Sequence, residues 1–244
     1  MSDSQKIALV TGGAVRVGRA IVLKLAEAGY DIAFTYLSSE AEAKNLCAEV
    51  ANLGRRAVAI RADLAELPSS IEKIGIEYRA NFSQLDLLVN NASIYAPSGL
   101  DDVTLPAIRR MWAIHAEAPL LLCREFRREL QSANGAVVNM VDLMAERPWP
   151  AYMAYCASKA ALANLTLSLA RELAPQVRVN GIAPGVVEWP ADYPQTEREK
   201  YLKRVPLARA GTPQDVAEAV LFLARPGGYV TGQILRLDGG RSIT

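Results

Sequence analysis

The stretch KIALVTGGAVRVGRAIVLKLAEAG, residues 6–29, decides the fold. Lys6 to Val10 is a short apolar run, Thr11-Gly12-Gly13 follows, and from Arg19 to Ala28 apolar side chains recur at helical spacing until Gly29. A strand, a glycine turn and a helix in that order open a nucleotide-binding βαβ unit. Glycines there let the backbone approach a phosphate closely, and the helix N-terminus then faces the negative charge. The turn lacks the Gly-Lys-Ser/Thr ending of a P-loop, which argues against a nucleoside triphosphatase.

Working outward, Asp31 to Tyr36 reads as a second strand. Ser39 caps the next helix with Glu42 completing a capping box, and that helix stops near Leu53. Ala57 to Ile60 is a third strand, followed by Asp63 and by a helix from Pro68 to Arg79. Leu85 to Val89 is a fourth strand and runs into VNNASIYAP, residues 89–97. A helical region from Leu105 to Leu130 contains Pro119, which kinks or breaks it. Ala136 to Met140, Val177 to Asn180 and Gln233 to Leu237 read as strands, with helices over Ala151 to Leu173 and Gln214 to Ala224. The segment 185–210, with Pro190, Pro194 and Pro206, has weak periodicity and reads as a substrate-covering segment. Seven strands alternate with helices, without linker or repeat. The expectation is a single α/β domain over residues 1–244, a three-layer Rossmann-type fold with a seven-stranded parallel sheet. A barrel would need one more strand and lacks this first turn.

Bulk composition bounds the function. Apolar residues make up 51% and charged residues 22% of the 244, enough for a large core. The net charge of +1 argues against a general nucleic-acid surface. Three dispersed cysteines and one histidine give no metal cluster, so no metal is expected. No apolar run is long enough to span a membrane, and the first residues lack signal-peptide features. A cytoplasmic location is expected.

Several residues carry chemistry. Tyr155 and Lys159 are four apart on an expected helix and share a face. An ammonium and a cationic cofactor ring nearby would lower the tyrosine pKa and let the phenol exchange a proton at the reacting centre. Asp142 follows a strand end and can converge with Tyr155. To donate, it needs a raised pKa or a proton supplied from water. Asp63 is placed to accept from an adenine amine or to lead the next helix. The end of the second strand, Thr35 to Ser39, carries no carboxylate to bind ribose hydroxyls. A 2′-phosphate is therefore not repelled, and Arg16, Ser38 and Ser39 are placed to receive it, favouring NADPH over NADH. Asn90 and Asn180 read as amides tying strand ends together, and His115 as structural or water-holding rather than a base. Tyr95 can stack on a flat substrate ring or cover apolar surface.

The turn at Thr11 to Gly18, NNA at Asn90 to Ala92, Tyr155-x-x-x-Lys159, Asn180 to Gly185 and the closing Asp-Gly-Gly match in order and spacing. Over essentially its full length the chain resembles the short-chain dehydrogenase/reductases. Arg16 in place of the middle glycine, NNAS at residues 90–93 and VNMVD at residues 138–142 are most similar to the pteridine reductases and bacterial dihydromonapterin reductases. The resemblance implies NADPH contacts from Gly12, Arg16, Val17, Ser38, Ser39, Asp63, Leu64, Asn91, Ala92, Ser93, Tyr155, Lys159, Pro184 and Gly185. It implies substrate contacts from Ser93, Tyr95, Asp142 and Tyr155, with the pterin between Tyr95 and the nicotinamide, and weakly suggests Trp189 or Tyr193 at its border. Catalysis falls to Asp142, Tyr155 and Lys159: proton delivery by the first two, ribose binding by the third. The implied activity is NADPH-dependent reduction of a dihydropterin such as dihydrobiopterin, dihydromonapterin or dihydrofolate by a homotetramer.

Two departures stand out. The protozoan enzymes carry a basic residue near Ser38 that is missing here, and His115 replaces the asparagine usual in the broad family, a replacement that resembles the bacterial pterin subgroup. The alternatives are a short-chain NADPH-dependent carbonyl reductase for 3-oxoacyl or sugar substrates, and a non-enzymatic dinucleotide-binding regulator.

Overall fold

The computed structural model describes residues 5–189 and 193–244. The first βαβ unit is β1 (Lys6–Val10), α1 (Arg16–Glu27) and β2 (Tyr30–Tyr36), followed by α2 (Glu40–Asn52), β3 (Ala57–Arg61), α3 (Ser69–Arg79) and β4 (Leu87–Asn90). The second half comprises α4 (Leu105–Trp112), α5 (Ala118–Glu125), α6 (Arg127–Ser132), β5 (Ala136–Met140), α7 (Met153–Glu172), β6 (Arg178–Pro184), α8 (Gln195–Leu202), α9 (Pro213–Ala224) and β7 (Ile234–Leu237). The seven strands form one parallel sheet in the order β3-β2-β1-β4-β5-β6-β7. Strand order reverses between β1 and β4, the place where open α/β sheets bind ligands.

Both faces of the sheet are covered, which is why its strands read as unbroken apolar runs. Within β1, Ala8 and Val10 enter the core on one face with Ile21, Leu25, Val216 and Val220 of α1 and α9. Ile7 and Leu9 enter the other with Ile71, Ile74, Leu122 and Leu169 of α3, α5 and α7. The start of α9 is secured by a capping box, Thr212 with Asp215.

Four local expectations are corrected. Ser39 occupies the position before α2, but its side chain makes no capping hydrogen bond, so no capping box forms there. The kink or break expected at Pro119 takes a milder form: between α4 and α5 the chain widens into a π-turn at Ala113–Glu117. Proline has no N–H for the carbonyl a turn earlier, and the wider turn relieves the ring clash. The sixth strand continues past Asn180 to Pro184, because Gly181 to Pro184 pair along β7. The segment after residue 185 contains a helix, α8, whose polar sequence gave no apolar periodicity. Pro190 lies outside the described residues.

Candidate active site

The site lies along the C-terminal ends of β1, β4, β5 and β6. Its cofactor side is built from backbone. Gly12 adopts a φ of +62°, and a Cβ there would sit 3.0 Å from Ala92 Cα. A Cβ on Gly18 would come within 2.0 Å of the Gly12 carbonyl oxygen, so α1 can start against the turn only as glycine. The Thr11 hydroxyl accepts from the N–H groups of Asn91 (2.9 Å) and Ala92 (3.0 Å), and Asn91 Nδ2 donates to the carbonyls of Thr11 (2.9 Å) and Gly12 (3.1 Å). The first turn and the loop after β4 thereby form one rigid ledge.

The catalytic candidates converge. Asp142 stands at the head of a single 3₁₀ turn, Leu143–Ala145, and its Oδ1 accepts from Met144 N–H at 2.7 Å. The Tyr155 hydroxyl donates to Asp142 Oδ2 at 2.7 Å. The Lys159 Nζ donates to the Met140 carbonyl at 2.8 Å and lies 5.7 Å from the centre of the Tyr155 ring. Burial drives the Asp142 carboxyl above its ordinary range, against the Met144 and Tyr155 hydrogen bonds and the Lys159 charge. Burial lowers the Lys159 ammonium to about 8, partly offset by Asp142. The lowering expected at Tyr155 from Lys159 and a cofactor ring is opposed within the chain itself. Burial, then the charge of Asp142, push its phenol well above the usual value, and the proton stays on tyrosine. The expectation weighed the lysine and the cofactor ring and omitted the nearer carboxylate.

His115 is an anchor. Ile94 N–H can only donate, and it points at His115 Nε2 (3.2 Å), so Nε2 accepts and Nδ1 carries the proton. Nδ1 donates to Ser158 Oγ at 2.8 Å, Ser158 donates to the Tyr155 carbonyl at 2.7 Å, and Ser93 Oγ meets Nε2 at 3.0 Å. Burial, with the Lys159 charge, pushes the ring pKa down to about 2, so it stays neutral. The π-turn widened by Pro119 carries this side chain, which ties the loop bearing Ser93 to the helix bearing Tyr155.

The other side of the site is aromatic. Tyr95 stacks on Tyr152 (ring centres 4.6 Å apart) and meets Tyr155 edge-on at 5.0 Å. The loop after β4 is held there by a bridge between Ser98 and Tyr152, with Ser98 N–H donating to Ala151 O at 2.6 Å. Opposite, Trp189 packs on Tyr193 (5.0 Å) and Tyr201 (5.4 Å), and Tyr201 on Trp149 (6.0 Å). The Tyr201 hydroxyl accepts from Val186 N–H at 3.1 Å, and its phenol is raised by burial and, in smaller part, by Asp238 and then Asp142. Sequence reasoning missed Trp149 and Tyr201, which flank no motif, and the stacking role of Tyr152.

The remaining residues divide. Gly185 packs against Tyr201 and Asp238 beside Pro184 at the end of β6. Asp63 is engaged by Ala65 N–H (2.9 Å) and faces Arg110 (3.5 Å), while Leu64 is buried in the core. Asn90 donates to Asn139 (2.8 Å), and Asn180 joins β6 to Val230 (2.9 Å) and Gln233 (3.1 Å), as expected of strand-tying amides. Arg16 sits at a φ of +54°, a glycine-like conformation, with Val17 packed on the core behind it, and its Nε pairs with Glu188 at 2.7 Å. Ser38 and Ser39 flank the end of β2. Unforeseen in the sequence, Arg61 reaches the same place from β3.

A family model described as enoyl-(acyl carrier protein) reductase matches residues 13–242. The chain belongs to the short-chain dehydrogenase/reductase family of oxidoreductases. It is similar to pteridine reductase 1 of Leishmania tarentolae, 34% identical over 100% of this chain and 98% of that protein. It is equally similar to a 3-oxoacyl-[acyl-carrier-protein] reductase of Staphylococcus aureus, 34% identical over 96% of this chain and 97% of that one. Among solved structures it resembles a blue fluorescent protein from a metagenomic library in complex with NADPH, with a TM-score of 0.91, 36% identity and 97% of each chain covered. Among the described residues no helix is long and apolar enough to cross a membrane, and no cluster could hold a metal ion.

Proposed function

We propose that this protein is an NADPH-dependent pteridine reductase that converts a dihydropterin to a tetrahydropterin. The observation that carries the reading is the pair at the reacting end of the site, Tyr155 donating to Asp142 at 2.7 Å, with the Tyr95 ring perpendicular to Tyr155 alongside. The glycine ledge, the absence of a carboxylate at the end of β2 and the NADPH-bound structural relative support this cofactor. When bound, NADPH supplies a hydride to the carbon of the pterin C=N bond.

The chain's own residues do the rest. Gly12, Asn91, Ala92 and Lys159 hold the dinucleotide. Tyr95 presents a face for the bicyclic ring. Asp142, whose carboxyl burial raises above its ordinary range, takes up a proton and delivers it to the ring nitrogen, and Tyr155 bonds the carboxyl in place and passes the replacement proton. Ser93, anchored by His115, lines the same space.

A homotetramer is proposed with it. Exposed Trp112, Leu120, Met153 and Leu167 on α4, α5 and α7 are the apolar surface that would pack between copies.

The test is NADPH oxidation with dihydrobiopterin, dihydromonapterin, dihydrofolate and an activated ketone. Pterin turnover that falls by about 10²–10⁴ in both Asp142→Asn and Tyr155→Phe is expected. Turnover of the ketone alone overturns the assignment in favour of a carbonyl reductase. Dinucleotide binding without any turnover would point to a regulator.

A further inference from the structure

Resting on the NADPH reading, the geometry points to Arg61, at the end of β3, as the residue that selects for the 2′-phosphate. The end of β2 offers no cation of its own. Tyr36 and Arg61 are paired across the parallel β2–β3 register, so the last residue of β3 lies alongside the last residue of β2. Arg61 is exposed, and its Nε donates to the Leu37 carbonyl at 3.2 Å. One edge of the guanidinium is thereby fastened to the turn that carries Ser38 and Ser39. Its two terminal nitrogens have no partner among the described residues, and a guanidinium fork suits a phosphate.

Two neighbours could spoil the site, and neither does. The Glu40 carboxylate, close enough to feel Arg61, is bonded by Lys44 at 2.7 Å, which holds its pKa low and cancels its charge locally. Arg16, the cation expected to serve, is turned toward Glu188 on the substrate side. The Ser39 hydroxyl makes no cap and remains available to the same phosphate as Arg61. A residue from the neighbouring strand therefore fills the role left empty by β2.

The experiment is calorimetric binding of 2′,5′-ADP and 5′-AMP to the full chain, with Arg61→Gln, Arg61→Lys and Arg16→Gln alongside. We expect the parent to prefer 2′,5′-ADP. Arg61→Gln should weaken 2′,5′-ADP by roughly 10–100-fold while leaving 5′-AMP unchanged, as expected for a lost charged hydrogen bond. Arg61→Lys should keep part of the preference as a point charge without the fork. Retention of the parent's preference in Arg61→Gln, or its loss in Arg16→Gln instead, overturns the assignment while the NADPH reading stands. A parent that does not distinguish the two nucleotides overturns the NADPH reading itself.

Discussion

The two sides of the site are built from different materials. The cofactor side is backbone: a φ of +62° at Gly12, a Gly18 pressed against a carbonyl, and Thr11 and Asn91 stitching two loops together. Its charged groups are exposed, Arg16 with Glu188 and the free fork of Arg61. The substrate side is side chain: buried Tyr155 and Lys159, half-buried Asp142 and a ring of aromatics gathered from the loop after β4, the start of α7 and the segment around α8. A backbone site tolerates little change in shape, whereas a side-chain site tolerates little change in charge. Substitutions on each side should therefore fail in different ways.

The largest effect is expected at Gly18→Ala. The added methyl would lie 2.0 Å from the Gly12 oxygen, with backbone rather than a flexible side chain in its way. The cost should reach or exceed the upper end of the ~1–3 kcal/mol typical of overpacking, and dinucleotide binding should be lost with it. Chemical denaturation and calorimetry would check both. Unimpaired nucleotide binding would show that the turn is less rigid than its backbone geometry implies.

His115→Ala is next, because it strips partners from the Ile94 N–H and the Ser93 and Ser158 hydroxyls and leaves a void where a buried ring stood. A loss of about 2–4 kcal/mol is expected, with His115→Asn recovering part of it by restoring an acceptor. With the ring pKa near 2, neither variant should change the shape of the pH–rate profile between about pH 5 and pH 8. A shifted profile would turn an anchor into a proton carrier.

The same contrast explains what the sequence discloses. The glycine turn, the Tyr155–Lys159 spacing and the strand pattern are local, so residues a few positions apart suffice to read them. Asp142 was legible because one strand end and one helix start must converge over thirteen residues. The stacking of Tyr95 on Tyr152, the approach of Tyr201 and the arrival of Arg61 beside Leu37 depend on packing between distant segments, and no short-range pattern encodes them. The fate of Pro119 was half legible: the disturbance follows from proline chemistry, but its absorption as a π-turn that carries His115 between the loop after β4 and α7 is a matter of distant packing.

On the substrate side, charge should matter more than shape. Asp142→Asn is nearly isosteric, and its effect on stability has a definite sign. In the folded chain burial raises the Asp142 pKa above its unfolded value, so the native state binds that proton more tightly. Asp142 therefore favours folding below the unfolded pKa, and the benefit is lost as pH rises through the raised folded value. Asparagine cannot titrate. The variant should be the more stable protein at neutral pH and lose that advantage in acid, while pterin turnover collapses. Thermal melts across that range would decide it, and a variant less stable at neutral pH would mean that the hydrogen bonds of the carboxylate outweigh its burial.

The smallest effect is expected at Glu188→Gln, on the seam between the two sides. Its pair with Arg16 is short, 2.7 Å, but the two side chains are 39% and 62% exposed, so water and salt screen it. Stability should change by less than about 1 kcal/mol. The released Arg16 should instead tighten dinucleotide binding slightly, with a steeper dependence on salt, since a free cation now faces the phosphates. Calorimetry at two salt concentrations separates this from a structural change. If the melting temperature fell while binding weakened, the Arg16–Glu188 pair would be a strut joining the glycine turn to the segment after β6, and the two sides would have to be treated as one mechanical unit.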